Sequence, residues 1–165
     1  MNVRIRPLEI NDAYKSVEWR NMPELWEYTK FDTSKEISIN DELDWIQKVT
    51  KDTSSARFAI IVDDDYVGNI YLTDIKNGIG EYHIFIGEKN YWGKGVARKA
   101  SQQIIDFGRD TLKLNFIELG VNEANSGAYH LYKSLGFEKV GLDDVGFIRM
   151  ELSLNNTSII NAHET

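Results

Sequence analysis

Gly93 and Gly95 stand one residue apart where a β-branched and aromatic run, Tyr82-His83-Ile84-Phe85-Ile86, gives way to Val96, Ala100, Ile104 and Phe107 at helical spacing. A glycine loop at the mouth of a helix lets backbone approach a ligand closely. The unpaired N–H groups there point outward with the positive end of the helix dipole. That chemistry suits an anion, a phosphate above all, although glycines also end strands and start helices with no ligand present. Two familiar phosphate motifs do not fit. Gly95, not Ser or Thr, follows Lys94, so this is no P-loop, and Arg98 stands where a dinucleotide fingerprint has its third glycine. On the run before the loop, the period of two places Glu81, His83 and Phe85 on one side. A carboxylate and an imidazole of intrinsic pKa near 6.5 are the side chains of acid–base work. Farther on, Asn125 and Tyr132 fall on one helix face with Tyr129 between them. Tyr132 read alone could equally be a core tyrosine.

The elements that must hold these groups follow from spacing and punctuation. Val3 to Pro7 reads as a first strand, and Asn11 as the cap of a helix carrying Ala13 and Val17. Pro23 opens a short helical segment through Tyr28, and Asn40 caps a helix with Leu43, Ile46 and Val49. From Arg57 strands take over: Phe58 to Val62, a turn at Asp63-Asp64-Asp65, and Tyr66 to Leu72 form a hairpin. The three aspartates are turn residues, since neighbouring carboxylates on a short turn point different ways. Asn77-Gly78 turns the chain into the central strand. After the central helix come a strand from Phe116 to Val121, a helix with Ala128, Leu131 and Leu135 facing the core, and a cap at Gly136. Two last strands span Glu138 to Val140 and Phe147 to Leu154. Trp19, Trp26, Tyr28, Phe31 and Trp45 crowd the amino-terminal third, as core plugs or as the wall of a pocket.

At 165 residues and 42% hydrophobic content the chain fits one domain with one core. It has no cysteine, which excludes disulfides, thiolate metal sites and a cysteine nucleophile. Three scattered histidines, His83, His130 and His163, argue against a metal site. No apolar run reaches the length of a membrane span, and no signal-peptide core follows Met1, so a cytoplasmic location is expected. A net charge of -7 argues against a nucleic-acid partner and suits a neutral or cationic substrate.

Tyr91-Trp92-Gly93-Lys94-Gly95-Val96-Ala97, followed by Asn125-Ser126-Gly127-Ala128-Tyr129-His130-Leu131-Tyr132-Lys133-Ser134-Leu135-Gly136-Phe137, resembles the GNAT family of acetyl-CoA-dependent N-acetyltransferases. The likeness runs from Val3 to Leu154. One departure is Asn90, which stands where the family's loop often begins with Gln or Arg. The resemblance implies an α+β fold: a central mixed, mostly antiparallel twisted sheet of about seven strands with helices on both faces. It also implies a single domain over residues 1–154, with 155–165 a polar tail.

By the same resemblance, the pyrophosphate of coenzyme A lies on Trp92, Gly93, Lys94, Gly95, Val96 and Ala97, and Lys94 and Arg98 add positive charge. Pantetheine pairs with the central strand at Phe85, Ile86 and Gly87. Asn125 contacts the cofactor from a face shared with Tyr129, and Tyr132 gives a proton to the departing thiolate. A phenol of pKa about 10 can do so at neutral pH. The attacking amine needs a base, for which Glu81 leads and His83 follows. A backbone N–H at Ile86 would polarise the carbonyl. Transfer would be direct, in a ternary complex, with no metal and no covalent acyl-enzyme.

Trp19-Arg20-Asn21 with Pro23-Glu24 is similar to the branch holding ribosomal-protein N-terminal, spermidine and amino-sugar nucleotide acetyltransferases. The stretch Trp19 to Phe31 leans to the last, with Trp19, Arg20, Tyr28 and Phe31 as acceptor contacts. A polyamine is favoured instead by Glu24, Glu27, Asp32 and Glu36 around the expected mouth. A protein amino terminus as acceptor, or a non-catalytic acyl-CoA-binding module, stays open. Exposed aromatics would suit a homodimer.

Overall fold

The computed structural model describes residues Met1–Leu154; the expected tail, 155–165, lies outside the described residues. The order is β1 (Val3–Pro7), a 3-10 turn (Ile10–Asp12), α1 (Ala13–Arg20), a 3-10 turn (Pro23–Trp26), α2 (Ile39–Thr50), β2 (Ala56–Val62), β3 (Asp65–Lys76) and β4 (Ile79–Ile86). After a 3-10 turn (Lys89–Tyr91) come α3 (Val96–Asp110), β5 (Phe116–Val121), α4 (Ser126–Ser134), β6 (Glu138–Leu142) and β7 (Ile148–Ser153). The strands form one open sheet in the order β1-β2-β3-β4-β5-β7-β6, as expected of the α+β arrangement. Neighbours run antiparallel except β4 and β5, which are parallel.

Both faces are covered. Ile60, Val62, Ile70, Leu72 and Tyr82 pack with Val96, Ala100 and Ile104 of α3, and Tyr132 of α4 joins them. Ala59, Ile61 and Tyr71 turn the other way, onto Ala13 of α1 and Ile46 of α2. The tight hairpins are local in origin. Asp63 and Asp64, with φ of 46° and 76°, and Asn77 and Gly78, with 54° and 76°, form two-residue turns of the kind that matches strand twist. Asp63 also accepts from the Asn2 N–H and Asp65 from the Tyr91 hydroxyl, so the acidic triplet serves the turn.

Two caps differ from expectation. Ser38, not Asn40, caps α2, because Asp41 three residues on lets the two residues bond each other's backbone N–H. Asn11 sits within a 3-10 turn, and it is the Asp12 carboxylate that accepts from the Glu9 N–H and from Arg6.

Trp19, 2% exposed, lies against Tyr66 and over Gly87. A Cβ on Gly87 would fall 2.1 Å from Trp19 Cδ2, so the close approach itself demands glycine. Gly87→Ala should lower stability by about 1–3 kcal/mol through overpacking, read as a shifted urea midpoint at unchanged slope. An unmoved midpoint would show that the ring is loose.

The feature that makes the site is a parting of strands. β4 and β5 pair only over Ile79–Glu81 and Phe116–Glu118. Past Glu81, β4 keeps β3 as partner and β5 keeps β7, and the sheet opens between them.

Candidate active site

A cleft of about 580 Å³ occupies this opening. β4 lines it with Glu81, His83 and Phe85, β5 with Leu119 to Val121, and α4 with its cap Asn125 and with Tyr132 of its last turn. His83 Nε2 lies 3.1 Å from Thr73 Oγ1. Burial pushes the imidazole below its usual pKa, and the nearby Glu81 carboxylate offsets part of that. Above its ordinary pKa near 6.5 the ring is therefore neutral and able to accept a proton. Glu81 accepts from Arg149 Nη1 at 3.2 Å, and Arg149 also reaches Glu118 at 3.6 Å.

Arg149 was not foreseen. It crosses from β7 over Gly120 of β5, where an added Cβ would lie 2.9 Å from its Nη1. A glycine inside a strand marks such close approaches, and Gly120 is the signal that could have pointed to it.

Tyr132 packs edge-on to Tyr82 at 5.4 Å between centroids and to Phe137 at 6.0 Å. Burial pushes its hydroxyl up to about 12. The phenol is thus a weaker acid than first supposed. It stays protonated, and so able to donate, throughout the neutral range, whereas complete proton transfer to a thiolate of pKa about 8.5 would be uphill.

Beyond the end of β4 lies the glycine loop. Gly93 and Gly95 have φ of 73° and 81°, and nothing stands within 4 Å of a Cβ built on either. Gly95 caps α3 without a side chain, and the first bond back into the helix is Lys99 N–H to Gly95 O. The N–H groups of Val96, Ala97 and Arg98 therefore have no acceptor within the helix, an arrangement that fits a pyrophosphate. Lys94 is exposed over the Tyr91 ring. Gly87 N–H is spent on Val67 O. By the alternation of an antiparallel ladder, the N–H groups of Ile84 and Ile86 then point to the side that β5 has left. Trp92 Nε1 donates to Ile86 O at 2.9 Å on that side.

Residues 2–138 match the family described as the acetyltransferase (GNAT) domain. The chain belongs to the GNAT family. It is an acetyl-CoA-dependent N-acetyltransferase. An uncharacterized N-acetyltransferase of Bacillus licheniformis is 33% identical over 143 residues, covering 84% of this chain and 80% of that one. The spermidine N(1)-acetyltransferase of Escherichia coli is 30% identical over 142 residues, covering 85% and 75%. Among solved structures, a Vibrio cholerae spermidine N-acetyltransferase in complex with CoA and spermine superposes with a TM-score of 0.85 at 23% identity, over 93% of this chain and 96% of that one.

In this acetyltransferase the crowded aromatics divide between plug and wall. Trp19 does not reach the cleft: its ring is buried and its Nε1 donates to Glu88 Oε1. Arg20, Tyr28 and Phe31 do line it, with Trp26 and Trp45 beside them. Tyr129 packs its ring on the core and against His130 and does not line the cleft. Asn125 spends its side-chain oxygen capping α4 on Ala128 N–H, and Arg98 donates to Ser134 of α4. The carboxylates expected around the mouth stand outside the cleft wall itself, with Glu27 and Asp32 flanking the lining stretch Tyr28 to Phe31. Glu24 pairs with Lys89, and neither it nor Glu27, Asp32 or Glu36 lines the cleft. No group of three or more His, Asp or Glu that could hold a metal ion occurs among the described residues. No helix among them is long and apolar enough to cross a membrane.

Proposed function

We propose that this acetyltransferase moves the acetyl group directly onto a primary amine in a ternary complex at the parting of β4 and β5. The observation that carries this is the convergence of His83, Glu81 and Tyr132 on one cleft beside the uncapped start of α3. Acetyl-CoA, held through the amides of Val96 to Arg98 with Lys94 nearby, supplies the acetyl group as a thioester.

His83 takes the proton of the attacking amine, with Glu81 and Arg149 fixing the electrostatics around it. This reverses the order expected from sequence, because Glu81 is engaged by Arg149 while His83 is held neutral. Thr73 donates to Asp74 at 3.3 Å, an arrangement that leaves its oxygen to accept from Nε2 and keeps Nδ1 as the basic nitrogen. The Ile86 N–H stabilises the developing oxyanion. As the new C–N bond forms and the C–S bond breaks, the Tyr132 hydroxyl donates to the sulfur that receives the electron pair.

The relatives named for spermidine favour a polyamine acceptor. The likeness of Trp19 to Phe31 to another branch favours an amino-sugar nucleotide. We place the protein in the cytoplasm, where acetyl-CoA is at hand, and keep a homodimer in the proposal on the strength of exposed Val140 and Leu142 on edge strand β6.

The test is thiol release from acetyl-CoA against a panel of amines, followed as a function of pH. A base must be neutral to act, so with both substrates saturating, kcat should fall as pH drops through a pKa below about 6.5. His83→Gln should abolish that limb and lower kcat about 100-fold. The same acid limb surviving in the variant would remove His83 from this role.

A further inference from the structure

From the paired guanidiniums at one end of the cleft we infer that the acceptor carries an oxyanion, a phosphate or a carboxylate, which docks on Arg57 and Arg20. The inference rests on the acetyl-transfer reading above and names its substrate class. Arg57, on β2, makes no ion pair among the described residues, and its Nε is buried with no hydrogen-bond partner. Its Cζ lies 4.6 Å from the Tyr71 ring centre and 5.3 Å from that of Trp45. Arg20 lies on the same Trp45 ring at 4.4 Å, with its side chain only 10% exposed. It spends Nε on Glu42, a buried carboxylate also bound by the Ser16 hydroxyl, and neither Nη bonds to protein among the described residues.

Two cations on one ring therefore face one buried carboxylate. Of the other acids of the cleft, Asp52 bonds Ser54 and acts on Arg57 only at longer range, Asp74 bonds Thr73, and Glu81 is ion-paired with Arg149, so none pairs with Arg57 among the described residues. Lys30, also in the wall, is paired with Asp143. Burial pushes the Arg57 guanidinium below its ordinary value, Tyr71 and Asp52 oppose this, and Arg20 adds to it. A guanidinium partly withdrawn from water with no ion pair of its own is costly, and its planar fork matches an oxyanion.

The ring behind it is rigid, because the Tyr71 hydroxyl accepts from Asn69 Nδ2 at 2.8 Å and Asn69 is fully buried. A polyamine would bring further positive charge to this end, beside Arg20 and Arg57.

Matched acceptors test this on the full chain: ethanolamine against O-phosphoethanolamine, glycinamide against glycine, with spermidine alongside. At least one anionic member should exceed its neutral partner by about 10-fold or more in kcat/KM, and the pair that does so tells phosphate from carboxylate. Arg57→Met should bring that ratio to about one, and Arg57→Lys, which keeps charge but loses the fork, should fall between.

Binding is read separately. With CoA saturating the glycine loop, inorganic phosphate or acetate should raise the melting temperature of the wild type and not of Arg57→Met. Equal ratios, or spermidine preferred over every anionic acceptor, would overturn the subsite and leave acetyl transfer standing. Transfer to no amine, with the phosphate shift intact and dependent on Arg57, would overturn the transfer reading and leave the subsite.

Discussion

Tyr132→Phe lowers kcat by about 100- to 10,000-fold while CoA binding and folding stability stay near wild type: that is the expected result of removing one hydroxyl from this site. The ring itself is anchored by packing, edge-on to Tyr82 and Phe137, and phenylalanine preserves both contacts. The Tyr82 hydroxyl has its own partner in Ser101 at 2.6 Å, so that bond survives the substitution. What disappears is the hydroxyl of a residue that lines the cleft, together with its interaction with Tyr82. Because burial holds that hydroxyl up to about 12, it is protonated throughout any practical assay range. The wild-type rate should therefore show no alkaline limb from Tyr132 below about pH 11. Calorimetry for CoA and thiol release for turnover separate the two effects. A variant turning over within threefold of wild type would leave Tyr132 as a core residue only.

Gly95→Val should weaken CoA binding by about 10- to 100-fold, a loss on the scale of one or two hydrogen bonds to charged groups. Its φ of 81° is a left-handed conformation that a β-branched residue resists. Relaxing toward negative φ would turn the Val96 to Arg98 amides away from a common point. A backbone cost of about 1–2 kcal/mol should appear in stability as well. Gly146, with φ of 87° and equally open surroundings in the turn between β6 and β7, is the control. Gly146→Val should pay the backbone cost and bind CoA normally. Were both variants to bind alike, the start of α3 would not be the phosphate site.

The element order was legible in the sequence because it is written in local periods. Alternation set Glu81, His83 and Phe85 on one side of a strand, and in the structure all three line the cleft. The helical spacing of Val96, Ala100 and Ile104 put those residues in the core. Helix starts were less well read: Asn40 looked like a cap, but the reciprocal bonds of Ser38 and Asp41 win. The five aromatics of the first third could not be sorted in advance. Whether such a ring plugs or lines depends on what faces it, and for Trp19 that is Gly87, far along the chain.

By itself, then, the sequence determined which segments are strands and helices, where the glycine loop falls, and which side chains share a face. These follow from φ preferences and from periods of two and 3.6 residues. Only the tertiary structure decided that β4 and β5 part after three paired residues, that Arg149 reaches Glu81 across Gly120, and that Arg20 and Arg57 meet on Trp45. Those are contacts between residues tens of positions apart. No local repeat encodes them, because they are set by how the packed faces of the sheet close on one another.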